Sequence, residues 1–152
     1  MRVITIRRIE FTVYGEPVPK GRHRRAYNKK TGKVFEHPDP KTVIAENDFL
    51  LQSLKTKPDK PIDGYIRLSL TVIRSPLKSF RKWEKEIINS GGLLPNIKRP
   101  DLDNYFKLVK DAMNGVYWLD DSQVVLYKDS GKWYGNPPRT EVIVEEVRFE
   151  YT

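Results

Sequence analysis

Between Arg99 and Gln123 the chain places Asp101 and Asp103 one residue apart, Lys107 a helical turn further on, and a second acidic pair, Asp120–Asp121, beyond Gly115. Carboxylates beside a lysine, in a chain with no cysteine and two histidines, point to a hard cation held through oxygen rather than to a thiolate zinc site. Magnesium takes few carboxylates and keeps several waters and phosphate oxygens. Three carboxylates from a helix start and a strand entrance could share one such ion if those two ends lie side by side. The ion could then generate hydroxide for in-line attack and offset charge growing on a phosphate, while Lys107 adds a fixed positive charge to the same oxygens. The chemistry this suggests is phosphodiester hydrolysis, with no histidine required.

Each residue also has an ordinary role open to it. Asp101 could be a helix N-cap, the commonest place for Asp before a helix. Asp103 in a first turn complements the macrodipole and could pair with Lys107, a surface interaction worth at most about 1 kcal/mol. Asp120–Asp121 could be a turn between helix and strand. A lone Asp-x-Asp is weak evidence; the combination carries more.

The rest of the composition supports a phosphate-bearing partner. The net charge is +8, and residues 1–33 account for all of it, with ten Lys and Arg against two Glu. A segment so charged fits a phosphate-contacting arm, with His23 and Tyr27 interleaved to stack or hydrogen-bond; a solvated segment with no partner is the plain alternative. The length of 152 residues fits one domain spanning 1–152. Absence of cysteine suits a reducing compartment, and no apolar run reaches membrane-span length, so a cytoplasmic protein without a membrane partner is expected.

The elements that must position the acidic residues follow from periodicity. Alternation over Arg8–Tyr14 predicts a half-buried strand ended by Gly15 and two prolines. Residues 15–33 read as a long basic loop or loose hairpin, expected to be mobile. Asp39 and Pro40 open a helix to about Leu54, with Val43, Ile44, Phe49, Leu50, Leu51 and Leu54 as its apolar contacts. A strand over Tyr65–Ile73 puts Ile66, Leu68, Leu70 and Val72 on one face. A helix from Ser75–Pro76 to Asn89 has Phe80, Trp83, Ile87 and Ile88 to pack inward and a basic outer face that could touch DNA or only water. A third helix runs from Asp101 to Asn114 with Gly115 as its left-handed stop, so that Asp103, Lys107, Lys110 and Asn114 share a face while Leu102, Phe106, Val109 and Met113 face the core. Two strands, Val124–Tyr134 and Thr140–Phe149, close an α/β (α+β) domain: a small mixed β-sheet with three helices.

The block Arg99-Pro100-Asp101-Leu102-Asp103-Asn104, Lys107, Asp111-Ala112-Met113-Asn114-Gly115 and Asp120-Asp121-Ser122-Gln123-Val124 resembles the RusA family of Holliday-junction resolvases, as do the turn Gly15–Arg22 and Lys132 before the last strand. The resemblance covers nearly the whole chain. It implies a magnesium-dependent endonuclease of bacterial, phage or prophage origin, with Mn2+ able to stand in and no small-molecule cofactor. It implies a homodimer with two active sites that cuts symmetric strands of a four-way junction. The family's metal-binding aspartates carry over onto Asp101, Asp103 and Asp121, and its essential lysine onto Lys107. Asn104, Asp111 and Asp120 would stand behind them. An aromatic wedge is associated with the family's junction centre, but this chain has Asn96-Ile97-Lys98-Arg99 and no Phe there. DNA contacts are expected from Lys20, Arg22, Arg24, Arg25, Lys29, Lys30, Lys98, Arg99 and Lys110. Candidate dimer contacts are Tyr117, Trp118 and the apolar side of the 40–54 helix, with core packing as the alternative for each.

Two other functions compete with junction resolution. One is a basic nucleic-acid-binding protein without catalysis, whose acidic residues are caps and turns. The other is a metal-dependent nuclease acting on flaps, forks or RNA. Salt dependence of binding is common to all of these; a cleavage assay with and without magnesium separates the first, and a substrate panel the second.

Overall fold

The computed structural model describes residues 1–152. Its centre is β4 (Tyr65–Arg74), whose apolar run is buried where Ile66, Leu68, Leu70 and Val72 face the helices. β4 pairs antiparallel with β8 (Arg139–Glu150), which pairs antiparallel with β1 (Arg2–Tyr14). On its other edge β4 pairs in parallel with β6 (Val124–Tyr127) near its start and with β7 (Gly131–Tyr134) near its end. A two-residue strand, β5 (Leu94–Pro95), adds to β7 antiparallel and completes a mixed six-stranded sheet.

Three helices, α1 (Pro40–Ser53), α2 (Lys82–Asn89) and α3 (Leu102–Met113), complete an α+β domain, as expected from the sequence. α3 buries Tyr105, Phe106, Leu108, Val109, Ala112 and Met113 against the sheet. It starts after Asp101 and stops where Gly115 takes φ +78°, a left-handed conformation that glycine adopts without a side-chain clash.

Several boundaries differ from the sequence expectation. The first strand extends back to Arg2. The 15–33 stretch is a turn held on α3 followed by a separate hairpin of β2 (Arg24–Tyr27) and β3 (Val34–His37), because Lys20 N–H donates to Asn104 O (3.0 Å) and Gly21 N–H to Thr42 Oγ1 (2.8 Å). Residues 75–81 are not helical; α2 begins at Lys82, after the Glu84 carboxylate accepts from Arg81 N–H (2.9 Å). The expected single strand 124–134 is two, because Asp129 has φ 43° and the Ser130 hydroxyl accepts from Leu70 N–H (3.0 Å), replacing a rung of the ladder.

Burial corrects three side-chain assignments. Tyr117 and Trp118 are fully buried, so neither can form a dimer surface; the Tyr117 hydroxyl donates to Ser53 O (2.5 Å). Trp83 is exposed, leaving Ile88 as the buried residue of α2. On α1 only Phe49 of the named apolar residues is buried, edge-on to Phe11 of β1, while Ile44 and Leu51 are 69% and 67% exposed and Val43 and Leu54 also face solvent.

Candidate active site at the start of α3

Two basic side chains of the sheet fix the segment that leads into α3. Lys132 of β7 donates from Nζ to Lys98 O (2.9 Å) and Pro100 O (3.0 Å). Arg74, at the end of β4, donates to Arg99 O (3.4 Å). Because Lys132 pairs with Val72 and projects to the same side of the sheet, it ties the Arg99–Asp101 entry to a rigid central strand. In the sequence Lys132 stands out only through the family resemblance; its two carbonyl partners are 34 and 32 residues away, and no local pattern signals them.

Asp101 occupies the N-cap position with extended backbone, but its carboxylate makes no capping bond. Asp103 and Lys107 are exposed on the same helix, four residues apart, and neither makes a salt bridge, with each other or with any other group. Neither a capping bond nor a surface ion pair engages these carboxylates, and Asp103 keeps its first-turn place, where it complements the helix dipole. Two unengaged carboxylates on one helix start are a donor set suited to magnesium, which takes one or two carboxylates and completes its shell with water and phosphate, and the Lys107 ammonium a turn further on adds positive charge.

The residues behind them have structural partners. Lys20 bridges Glu46 (2.7 Å) and Asp111 (2.9 Å), and its main chain bonds Asn104 O. Burial acts to lower the Lys20 pKa, but the bonds to Asp111 and Glu46 outweigh it and hold it above the ordinary lysine value. Lys20 is thus a clamp between the N-terminal turn, α1 and α3, not a free cation for DNA, and Asp111 is its anchor. Asp120 caps a short turn over Asp121–Gln123: its carboxylate accepts from the Ser122 hydroxyl and from Ser122 N–H (3.1 Å), which together hold its pKa below the usual range. Gln123 accepts from Asp120 N–H (2.8 Å).

Asp121 is left with a free carboxylate, but it is not beside Asp101. The Gln123 amide donates to Ile62 O (2.7 Å) and Gly64 O (2.9 Å), placing the acidic turn before the start of β4, whereas Lys132 holds Pro100 opposite its end. The twelve residues of α3 separate the two ends by about 16 Å at 1.5 Å per residue. No three His, Asp or Glu side chains are gathered closely enough to hold a metal. The expected sharing of one ion by Asp101, Asp103 and Asp121 is not met within one chain.

Among the expected DNA contacts, Arg24 is paired with Asp39 (2.8 Å) and Arg25 more loosely with Glu36 (3.7 Å). Lys110 lies 5.7 Å from the centre of the Tyr127 ring, which stacks on Phe106. Arg22, Lys29, Lys30, Lys98 and Arg99 make no ion pair and are available to phosphates. Ile97, next to Lys98, is 95% exposed in the Asn96–Arg99 segment that lacks a Phe.

Set beside known proteins, residues 15–145 match the sequence model of the family described as Endodeoxyribonuclease RusA. The chain belongs to the RusA endodeoxyribonuclease family. Membership makes it a nuclease of the Holliday-junction resolvase class, which acts on branched DNA. The chain is also 41% identical over 141 residues, 91% of its own length and 96% of the relative's, to a protein of Bacillus subtilis (strain 168) called "Uncharacterized protein YqaN". No helix is long and apolar enough to cross a membrane.

Proposed function

We propose that this RusA-family member is a magnesium-dependent endodeoxyribonuclease that resolves four-way DNA junctions by paired, symmetric phosphodiester cleavage. The observation that carries the reading is the unengaged triplet Asp101, Asp103 and Lys107 on one helix start, beside a loop with free Lys98 and Arg99. Asp101 and Asp103 would hold the ion, which when bound makes a coordinated water more acidic and offsets phosphate charge. Lys107 places its ammonium against the negative charge that grows in the transition state. Lys132 and Arg74 keep these groups in register by holding the carbonyls just before Asp101.

Asp121 enters through a homodimer. It sits at the far end of α3 from Asp101, so a two-fold pair with α3 helices side by side and opposed would bring Asp121 of the partner subunit toward Asp101 and Asp103. Two such sites related by the dyad suit two cuts in symmetric strands. The exposed apolar side of α1 supplies surface for the pair.

Subunit mixing tests both parts. Asp101→Asn and Asp121→Asn are each expected to abolish cutting of a synthetic four-way junction while leaving junction binding intact. Co-refolded together, a heterodimer would hold one site with both substitutions and one site with neither, so magnesium-dependent nicking returns. Dead mixtures would mean that each chain assembles its own site. A panel of flaps, forks and linear duplex, largely spared by a junction resolvase, decides between this substrate and other branched DNA.

A further inference from the structure

A cleft of about 420 Å³ opens beside the start of α3, lined by Glu16, Arg74, Ser75, Lys98 and Tyr134 among others. Tyr134 is 5% exposed, packs edge-on against Phe80, and its hydroxyl has no hydrogen-bond partner in the protein. A buried hydroxyl left without a partner loses its hydration for nothing, unless something from outside supplies the bond. Arg74, the register partner of Tyr134 on the neighbouring strand, projects to the same side, and Lys98 stands on the loop above them. Glu16 is the one carboxylate of the wall and is already engaged by Ser75, whose N–H donates to it (3.2 Å) along with its hydroxyl. The cleft therefore gathers two cations and one carboxylate, with the orphaned Tyr134 hydroxyl buried at its wall: Arg74 from the end of β4, Tyr134 from the end of β7, and Lys98 from the segment that leads to Asp101.

We propose that this cleft is a phosphodiester subsite, which takes the backbone phosphate of a DNA strand adjacent to the one at Asp101, through Arg74, Lys98 and the Tyr134 hydroxyl. The identity of the ligand as DNA rests on the nuclease reading above; the preference for a phosphate rests on the cleft alone. Its consequence is positional. A strand pinned here by a neighbouring phosphate has its scissile bond set against the first turn of α3, and phosphate contacts fix register without reading sequence.

Tyr134→Phe and Lys98→Ala test it in the full-length protein. Tyr134→Phe removes an oxygen that no protein group engages, so its melting temperature is expected to equal or exceed that of wild type. Its dissociation constant for a four-way junction without metal is expected to rise about tenfold, the loss of one hydrogen bond to a charged group. Lys98→Ala should flatten the salt dependence of binding by about one phosphate. Inorganic phosphate should raise the wild-type melting temperature more than chloride at equal ionic strength, and both variants should lose that difference. Unchanged junction affinity in Tyr134→Phe, or a fall in its melting temperature that exposes an internal partner for the hydroxyl, overturns the subsite. A wild type that neither binds nor cuts junctions overturns the nuclease reading instead, and the phosphate experiment still decides the cleft.

Discussion

Replacing Lys132 with Met keeps the length of the side chain and removes the ammonium that holds Lys98 O and Pro100 O at 2.9 and 3.0 Å. A hydrogen bond to a charged group contributes about 1.5–3 kcal/mol. The bond to Lys98 O is exposed, where water replaces it, and the bond to Pro100 O is half-buried. The expected loss is therefore that of roughly one bond, about 2 kcal/mol, or a fall in melting temperature of about 4–8 °C for a chain of this size. The larger effect is on geometry. With Pro100 released, Asp101 loses its tie to β7, and a displacement of about 1 Å at a catalytic group reduces turnover on the order of a hundredfold. Junction cleavage under single-turnover conditions should fall by that factor, while affinity for the junction without metal changes less than about threefold, since one charge at most is lost from the phosphate-facing surface. Loss of affinity matching the loss of rate, with the melting temperature unchanged, would refute this account and make Lys132 a direct DNA contact.

Two further substitutions probe the frame and the dimer. Glu145 accepts from Arg67 (3.0 and 3.1 Å) and from the Thr5 hydroxyl (2.8 Å), and these bonds, Arg67 foremost, hold its pKa below the ordinary value of 4.5. A depressed carboxylate contributes stability that is full above its unfolded pKa and is lost as pH falls through the folded one, so denaturant titrations should show an acid-side decline below about pH 4.5 that Glu145→Gln makes shallower. Because the pair is nearly buried, the Gln variant should also be about 3 kcal/mol less stable at pH 7. On α1, the double substitution Ile44→Glu and Leu51→Glu alters side chains that are mostly exposed, so the monomer fold should survive; light scattering at micromolar concentration should report a dimer for wild type and a monomer for the variant, with paired cutting lost. An unchanged dimer would move the interface elsewhere.

The sequence made the central strand and the third helix legible because both are strongly periodic: Ile66, Leu68, Leu70 and Val72 alternate, and Phe106, Val109 and Met113 recur at helical spacing. Gly115 marked the helix end correctly, for the steric reason that favours glycine there. What was not legible depends on partners distant along the chain. Ser130 interrupts the 124–134 strand by accepting a bond from Leu70, and Lys20 is neutralised by Glu46 and Asp111, neither of which its neighbours announce. Tyr117 and Trp118, beside the acidic pair, resemble surface aromatics in sequence but are buried, Tyr117 through its bond to Ser53 at the end of α1 and Trp118 between Ile62 and Asn114. The place of Asp121 is the sharpest case. Eight residues beyond Met113 could extend back along α3 or stay at its end, and periodicity does not choose between the two. The bridge from Ile62 to Trp118 and the Gln123 amide make the choice, at the far end from Asp101.

Hydrolysis centred on the first turn of α3 is tested most directly by cutting a synthetic four-way junction with wild type and Asp103→Asn side by side, each with magnesium or with chelator. Magnesium-dependent paired nicks by wild type, none by Asp103→Asn, and equal junction binding by both is the expected result. Normal cutting by Asp103→Asn, or cutting by wild type in chelator, would contradict the assignment of chemistry to this helix start.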